Sequence, residues 1–147
     1  MVLTSKNFTD TKIVMRDTAA LPQTAQAALF TVTGRVIVTQ IVGEVTTVIE
    51  TKANATKLVA NPTVGADVDL CATDDITADA VGTLYSITGT LANAMVATTS
   101  GAFVAQAAPT VVADGTIDLN CAASNTGSVK WTVHYIPLDN DSSVVVA

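Results

Sequence analysis

Three groups of residues in this chain carry side chains suited to chemistry: His134, the cysteines Cys71 and Cys121, and the aspartates Asp67, Asp69, Asp74, Asp75 and Asp79. Nucleophilic catalysis needs a base within reach of its nucleophile. His134 is the only histidine. In the alternation VKWTVHY it falls on the polar side of a strand with Lys130 and Thr132, which is the pattern of a surface residue. A zinc site needs several His or Cys ligands at suitable spacing, and only three such residues exist. The cysteines are too far apart for a CxxC motif. In GTIDLNC, Cys121 shares a face with Ile117 and Leu119, whereas in DVDLC, Cys71 points away from Val68 and Leu70. Buried free thiols are expected. The chain has no GxGxxG, GxxxxGK[ST], GxSxG or HExxH.

The aspartates are the best metal candidate, because calcium takes about six to eight oxygen ligands and carboxylates on a loop supply some of them. Their spacing matches no EF-hand, and the Gly and terminal Glu of that loop are missing. A solvated loop over ATDDITADAV, residues 72–81, is the expectation. Paired carboxylates for glycoside hydrolysis also need a sugar platform, usually aromatic, and aromatics are 4% of the chain. The residues thus predict no catalytic, cofactor-binding or metal site, and a protein that is not an enzyme.

The elements that must position these residues are organised around Leu29–Glu50, LFTVTGRVIVTQIVGEVTTVIE. Of the sixteen residues from Arg35 to Glu50, eleven are Val, Ile or Thr, whose β-branching suits a pleated sheet. Ile37, Ile41, Val45 and Ile49 recur every four residues, as on a helix, but four is even, so they also share one face of a strand. The reading is one long strand with Gly43 as a bulge or bend. Before it, Ala28–Thr33 reads as a strand, and Thr33-Gly34 either turns the chain or bulges it. After it come short strands at Thr56–Ala60, Asp67–Cys71 and Thr83–Thr88. Further short strands are expected around Met95-Val96 and Phe103-Val104. Val111-Val112 begins another, followed by Ile117–Cys121, a hairpin loop at Ser124–Gly127, and Val129–Tyr135 in clean alternation. Pro137 ends that strand, and the tail closes on Val144–Val146.

About eight to ten strands and no convincing helix predict an all-β antiparallel sandwich, with a jelly roll as first choice. An immunoglobulin-like sandwich ranks second, because Trp131 follows both cysteines. Residues 1–18 read as an extended N-terminal arm holding Lys6, Lys12 and Arg16, either a frayed terminus or an arm that orders on a neighbouring subunit. Residues 19–147 read as the single sandwich domain. The expected core is Phe30, Val32, Ile37, Ile41, Val45, Tyr85, Ile87, Ile117, Leu119, Val129, Trp131, Val133 and Tyr135.

Composition narrows the partners. Hydrophobic residues make up 49% of the 147, and charged residues 14%, well below the usual ~25%. So many small apolar residues predict an oligomer or a partner surface. Net charge is −6 and the cations are scattered, so no nucleic-acid partner is expected. No apolar run approaches the ~18–20 residues of a membrane helix, so no membrane partner is expected. The opening MVLTSKNFTDTK shows no apolar signal region, and synthesis in a cytoplasm is the expectation.

The succession ALFTVTGRVIVTQIVGEVTTVIE, ATKLVANP, DVDLCA, VGTLYSITG and DGTIDLNCAASNTGSVKWTVHYIPLD, over residues 19–139, resembles small β-rich structural proteins of tailed bacteriophages and prophages. Within that group it is most similar to head decoration, or cement, proteins. The resemblance implies a virion protein with a β-sandwich or jelly-roll domain. Such proteins are often homotrimeric and bind the major capsid protein on the outside of the head. It carries over no site residues. The competing readings are another phage part, such as a tail, baseplate or receptor-binding component, and a small-ligand or carbohydrate-binding jelly roll.

Overall fold

The structure, a computed structural model of the chain, describes residues 11–147. Its strands are β1 (Lys12–Ala20), β2 (Gln26–Thr33), β3 (Val36–Thr47), β4 (Ala55–Pro62), β5 (Val68–Asp69), β6 (Asp74–Asp75), β7 (Leu84–Ser86), β8 (Val96–Thr98), β9 (Thr110–Val112), β10 (Gly115–Cys121), β11 (Ser128–Pro137) and β12 (Ser143–Val146). Among the described residues there is no helix. The first sheet runs β1-β11-β3-β7-β8, with β9 also paired to β3. The second runs β12-β2-β10-β4-β5, with β6 also paired to β4. Every ladder is antiparallel, and the two sheets pack against each other as a β-sandwich.

Alternation explains the packing. In β11, Val129, Trp131, Val133 and Tyr135 are buried while the residues between them are half-exposed. In β10, Ile117, Leu119 and Cys121 face them from the other sheet. Of the core expected from sequence, all but Ile37 is buried. The exception has a local cause. His134 opposes Gln40 but Tyr135 opposes Val38, so Thr39 is an extra residue in β3. A one-residue bulge flips every side chain beyond it. Val36 and Val38 therefore take the inward positions, and Ile37 turns out.

Gly43, expected as the bulge, does something else. It lies between Trp131 of β11 and Tyr85 of β7 in the ladder. The two rings stack at a centroid distance of 6.1 Å. A Cβ on Gly43 would stand 2.8 Å from Trp131 Cζ3, so the glycine is the floor on which the indole rests.

Three further features correct or complete the sequence reading. Successive long strands change sheet: β1, β3 and β11 lie in the first, β2, β4, β10 and β12 in the second. Ser124–Gly127 therefore crosses between sheets instead of making a hairpin. The alternating faces of β10 and β11 are buried equally well by facing as by pairing, so periodicity could not separate the two arrangements. The crossing is held by Asn125, buried, whose Nδ2 donates to the carbonyl of Lys52 at 2.7 Å. Second, the part of the expected arm from Lys12 to Thr18 is strand β1, paired with β11 from Lys12↔Tyr135 onward. Only Val14, Arg16 and Ala19 of β1 are half-buried, too weak a pattern to mark a strand in sequence. The rest of the expected arm, residues 1–10, lies outside the described residues. Third, the apolar tail Val144–Val146 is not a loose end: it adds a strand to the edge of the second sheet, paired with Phe30–Val32.

The expected strand at Phe103-Val104 is absent. That segment runs as a loop, pinned to β3 by Gln106, whose N–H donates to Gln40 Oε1 at 2.7 Å. This loop and the Gln40–Ser86 hydrogen bond of 2.8 Å fill the gap in the β3 edge between β7 and β9.

Candidate functional site

The residues singled out for chemistry do not converge. His134 stands on the outer face of the first sheet, opposite Ile13 and Gln40. Cys71 and Cys121 are buried free thiols, and burial pushes both upward in pKa. Four of the five aspartates of the 67–79 stretch have a partner side chain. Asp67 accepts from Gln26 Nε2 at 2.8 Å, and Asp69 pairs with Lys57 at 2.7 Å. Asp75 accepts from the Thr77 hydroxyl at 2.6 Å and from the Asn54 N–H, which lowers its pKa. Asp79 accepts from the Tyr85 hydroxyl at 2.6 Å; burial, then that bond, pushes the phenol upward. Asp74 is raised by burial and then by Asp79. Among the described residues no group of three or more His, Cys, Asp or Glu is arranged to hold a metal, and no helix is long and apolar enough to cross a membrane.

What the fold does assemble is apolar. β1 is an edge strand whose inward residues are Val14 and Arg16 and whose outward residues are Ile13 and Met15. Ile13 is 62% exposed and Met15 53%. On the same outer face Ile136, Ile37 and Val111 form one row across β11, β3 and β9, and Val111 is 64% exposed. Val111 also borders a groove of about 370 Å³ between the sheets, lined by Ala60, Pro62, Val68, Leu70, Leu91 and Val112 among others. No charged side chain lines it, and the buried Thr110 hydroxyl on its wall has no partner. Its lining is predominantly apolar.

Arg16, one of the three cations of the expected arm, is used internally. Its Nη1 donates to the carbonyls of Leu29 at 3.1 Å, Ala147 at 3.2 Å and Ala28 at 3.4 Å. It thereby straps the β1 edge to the β2–β12 edge of the other sheet. The Leu29 carbonyl also accepts from the Ala147 N–H at 3.1 Å, so Arg16 adds to an edge already closed by backbone pairing.

Two residues carried no sequence signal: Thr110, and Asp118, which alternation places outward on β10 yet which is 3% exposed. No protein-family model, no curated protein and no solved structure matches the chain.

Proposed function

We propose that the chain is a non-enzymatic structural protein of a tailed-phage virion, a decoration or cement protein that binds the major capsid protein outside the head and assembles as a homotrimer. The observation that carries this reading is the set of apolar residues on one outer face: Ile13, Met15 and Val111, exposed, with Ile37 and Ile136 half-buried in the Val111 row. Apolar side chains on a sheet surface are worth burying against a partner. The strand order adds support for a jelly roll: β1-β11-β3-β7 against β2-β10-β4 with β5 and β6, successive long strands alternating between sheets. The dispersal of the aspartates and of His134 favours binding over catalysis.

The experiment uses heads of the encoding phage or prophage stripped of this protein. Full-length chain should bind them saturably, sediment as a trimer when free, and raise the temperature at which the heads break open. The double variant Ile13→Asp, Met15→Asp should fold and fail to bind. A strictly monomeric protein with no affinity for heads overturns the reading.

A further inference from the structure

The first sheet ends in two unlike margins. Among the described residues β1 has one strand neighbour, β11, and β9 has one, β3. An edge strand presents a row of backbone N–H and C=O groups that another strand can take up. Both margins carry exposed apolar side chains, Ile13 and Met15 on β1 and Val111 on β9. β9 also borders the mouth of the apolar groove, with the exposed Val68 and Leu91 on its other walls.

Strand direction makes the two margins compatible. β1 and β3 are each antiparallel to β11, so they run the same way, and β9 runs against β3. A second copy turned about an axis along the strands keeps that direction, so its β1 arrives antiparallel to β9 of the first. Facing then restricts the register, because opposed residues in a ladder share a face. Val14 and Val112 lie on the inward side of their strands, Met15 and Val111 on the outward side. With Met15 opposite Val111, Val14 falls opposite Val112, Ile13 opposite Ala113 and Lys12 opposite Asp114. Charge agrees with this register. Lys12 is exposed and, among the described residues, forms no ion pair. Asp114 is exposed as well; it accepts from the Gly34 N–H at 2.9 Å and the Thr63 hydroxyl at 2.8 Å, and a carboxylate has about four acceptor positions. Sliding β1 by two residues puts Lys12 against Val112, or Asp17 against Val111. Two-fold pairing of β1 with β1 matches no better: centred on Val14 it sets Lys12 against Arg16, two cations, and centred on Met15 it sets Ile13 against Asp17.

We propose that the chain self-associates head to tail, β1 of one copy adding antiparallel to the free edge of β9 in the next, with Met15 beside Val111 and Lys12 beside Asp114. The added strand lies along the margin where the groove opens and covers its mouth. Unlike margins make the contact heterologous, and the rotation at each contact closes the ring. This inference rests on the self-association in the capsid reading and names its two surfaces; binding to heads has no part in it.

The test mixes full-length Met15→Cys protein with full-length Val111→Cys protein under mild oxidation. Both positions are exposed, and the native thiols Cys71 and Cys121 are buried. Opposed residues of an antiparallel pair stand about 4.5–5.5 Å apart at Cβ, close to the span of a disulfide. The mixture should give a disulfide-linked pair, neither variant alone should, and the double variant should give a ladder of linked copies. Lys12→Asp should weaken self-association in sedimentation several-fold at low salt and less at high salt. A wild type that associates, in a mixture that does not cross-link, overturns the proposal and leaves the homotrimer standing on other surfaces. Met15→Cys protein that cross-links to itself overturns it too, as does a Lys12→Asp protein that associates like the wild type. A wild type that stays monomeric overturns both the proposal and the homotrimer.

Discussion

On the first sheet, Ile13, Met15, Ile37, Ile136 and Val111 point away from the core, whereas the second sheet turns Gln26, Lys57, Asn61, Asp69, Asp118 and Asn120 outward. The inner faces of the two sheets are alike in chemistry; the outer faces differ in proportion, the second being mainly polar although Val59 and Val145 also lie on it. On the first sheet the apolar excess does not come from the middle of the central strand: β11 turns Lys130, Thr132 and His134 outward. It comes largely from β1 and β9, which flank the central strands, and from the end of β11 beside the β3 bulge. A sheet can thus keep its central strand in ordinary alternation and place the information for partners in its flanking strands, where substitution disturbs the core least.

The comparison requires both faces to stand on one rigid core, and the strongest way to break it is to remove that core. Trp131→Ala should cost ~3–5 kcal/mol in urea denaturation, since it empties the space over Gly43 and beside Tyr85. Gly43→Val, which pushes a side chain into the indole, should cost ~1–3 kcal/mol. A Trp131→Ala protein as stable as the wild type would mean that the faces are supported some other way.

A sharper test touches one face at a time. Ile13→Asp with Met15→Asp should change folding stability by less than ~0.5 kcal/mol, because both side chains are already in water. Self-association measured by sedimentation should nonetheless collapse. Lys57→Ser with Asn120→Ser on the other face should leave association as it was. Equal effects from the two pairs would erase the distinction.

The smallest effect is acid lability at the crossings that serve both faces. Asp139 is held down to about 2 by the Arg35 guanidinium and the Arg35 N–H. Asp114 is lowered by the Gly34 N–H and the Thr63 hydroxyl. A carboxylate whose pKa is depressed by folding contributes fully above its unfolded value of about 3.9 and loses that contribution as pH falls through the folded value. Melting temperature should therefore be flat in this respect above about pH 4 and fall toward pH 2. Asp139→Asn should flatten part of that fall, by a small amount because the group is exposed to solvent.

Fold class was legible because β-branching and alternation are local. VKWTVHY named its own inward residues, and PTVVADGTIDLNC did nearly as well. Ile37 was misplaced because a bulge is set by the partner strand, and nothing in VIVTQIV marks Thr39 as the extra residue. The hairpin expected at Ser124–Gly127 failed for a related reason, since a turn sequence says that the chain reverses but not into which sheet. Lys12–Thr18 hid its strand because an edge strand with one half-buried face has almost no periodic signal. The apolar band was invisible in sequence because its members sit on separate strands, brought together only by register. Asp118 was invisible because alternation places it outward, and the side chains that meet it, Gln26 and Asn61, come from two other strands.

The alternation of strands between sheets bears on how the chain acquires its shape during synthesis. β1 has no partner until β11 exists, and Arg16 waits more than a hundred residues for Trp131. β3, the longest strand, likewise lacks its main neighbour until residues 128–137 have emerged. A growing chain of this kind cannot fold piece by piece behind the ribosome. It must remain loosely collapsed, with VIVTQIV accessible, until nearly all of it is made, and then close distant ladders at a rate limited by loop closure. Its production should accordingly depend on holding chaperones and on temperature more steeply than the stability of the finished sandwich would suggest.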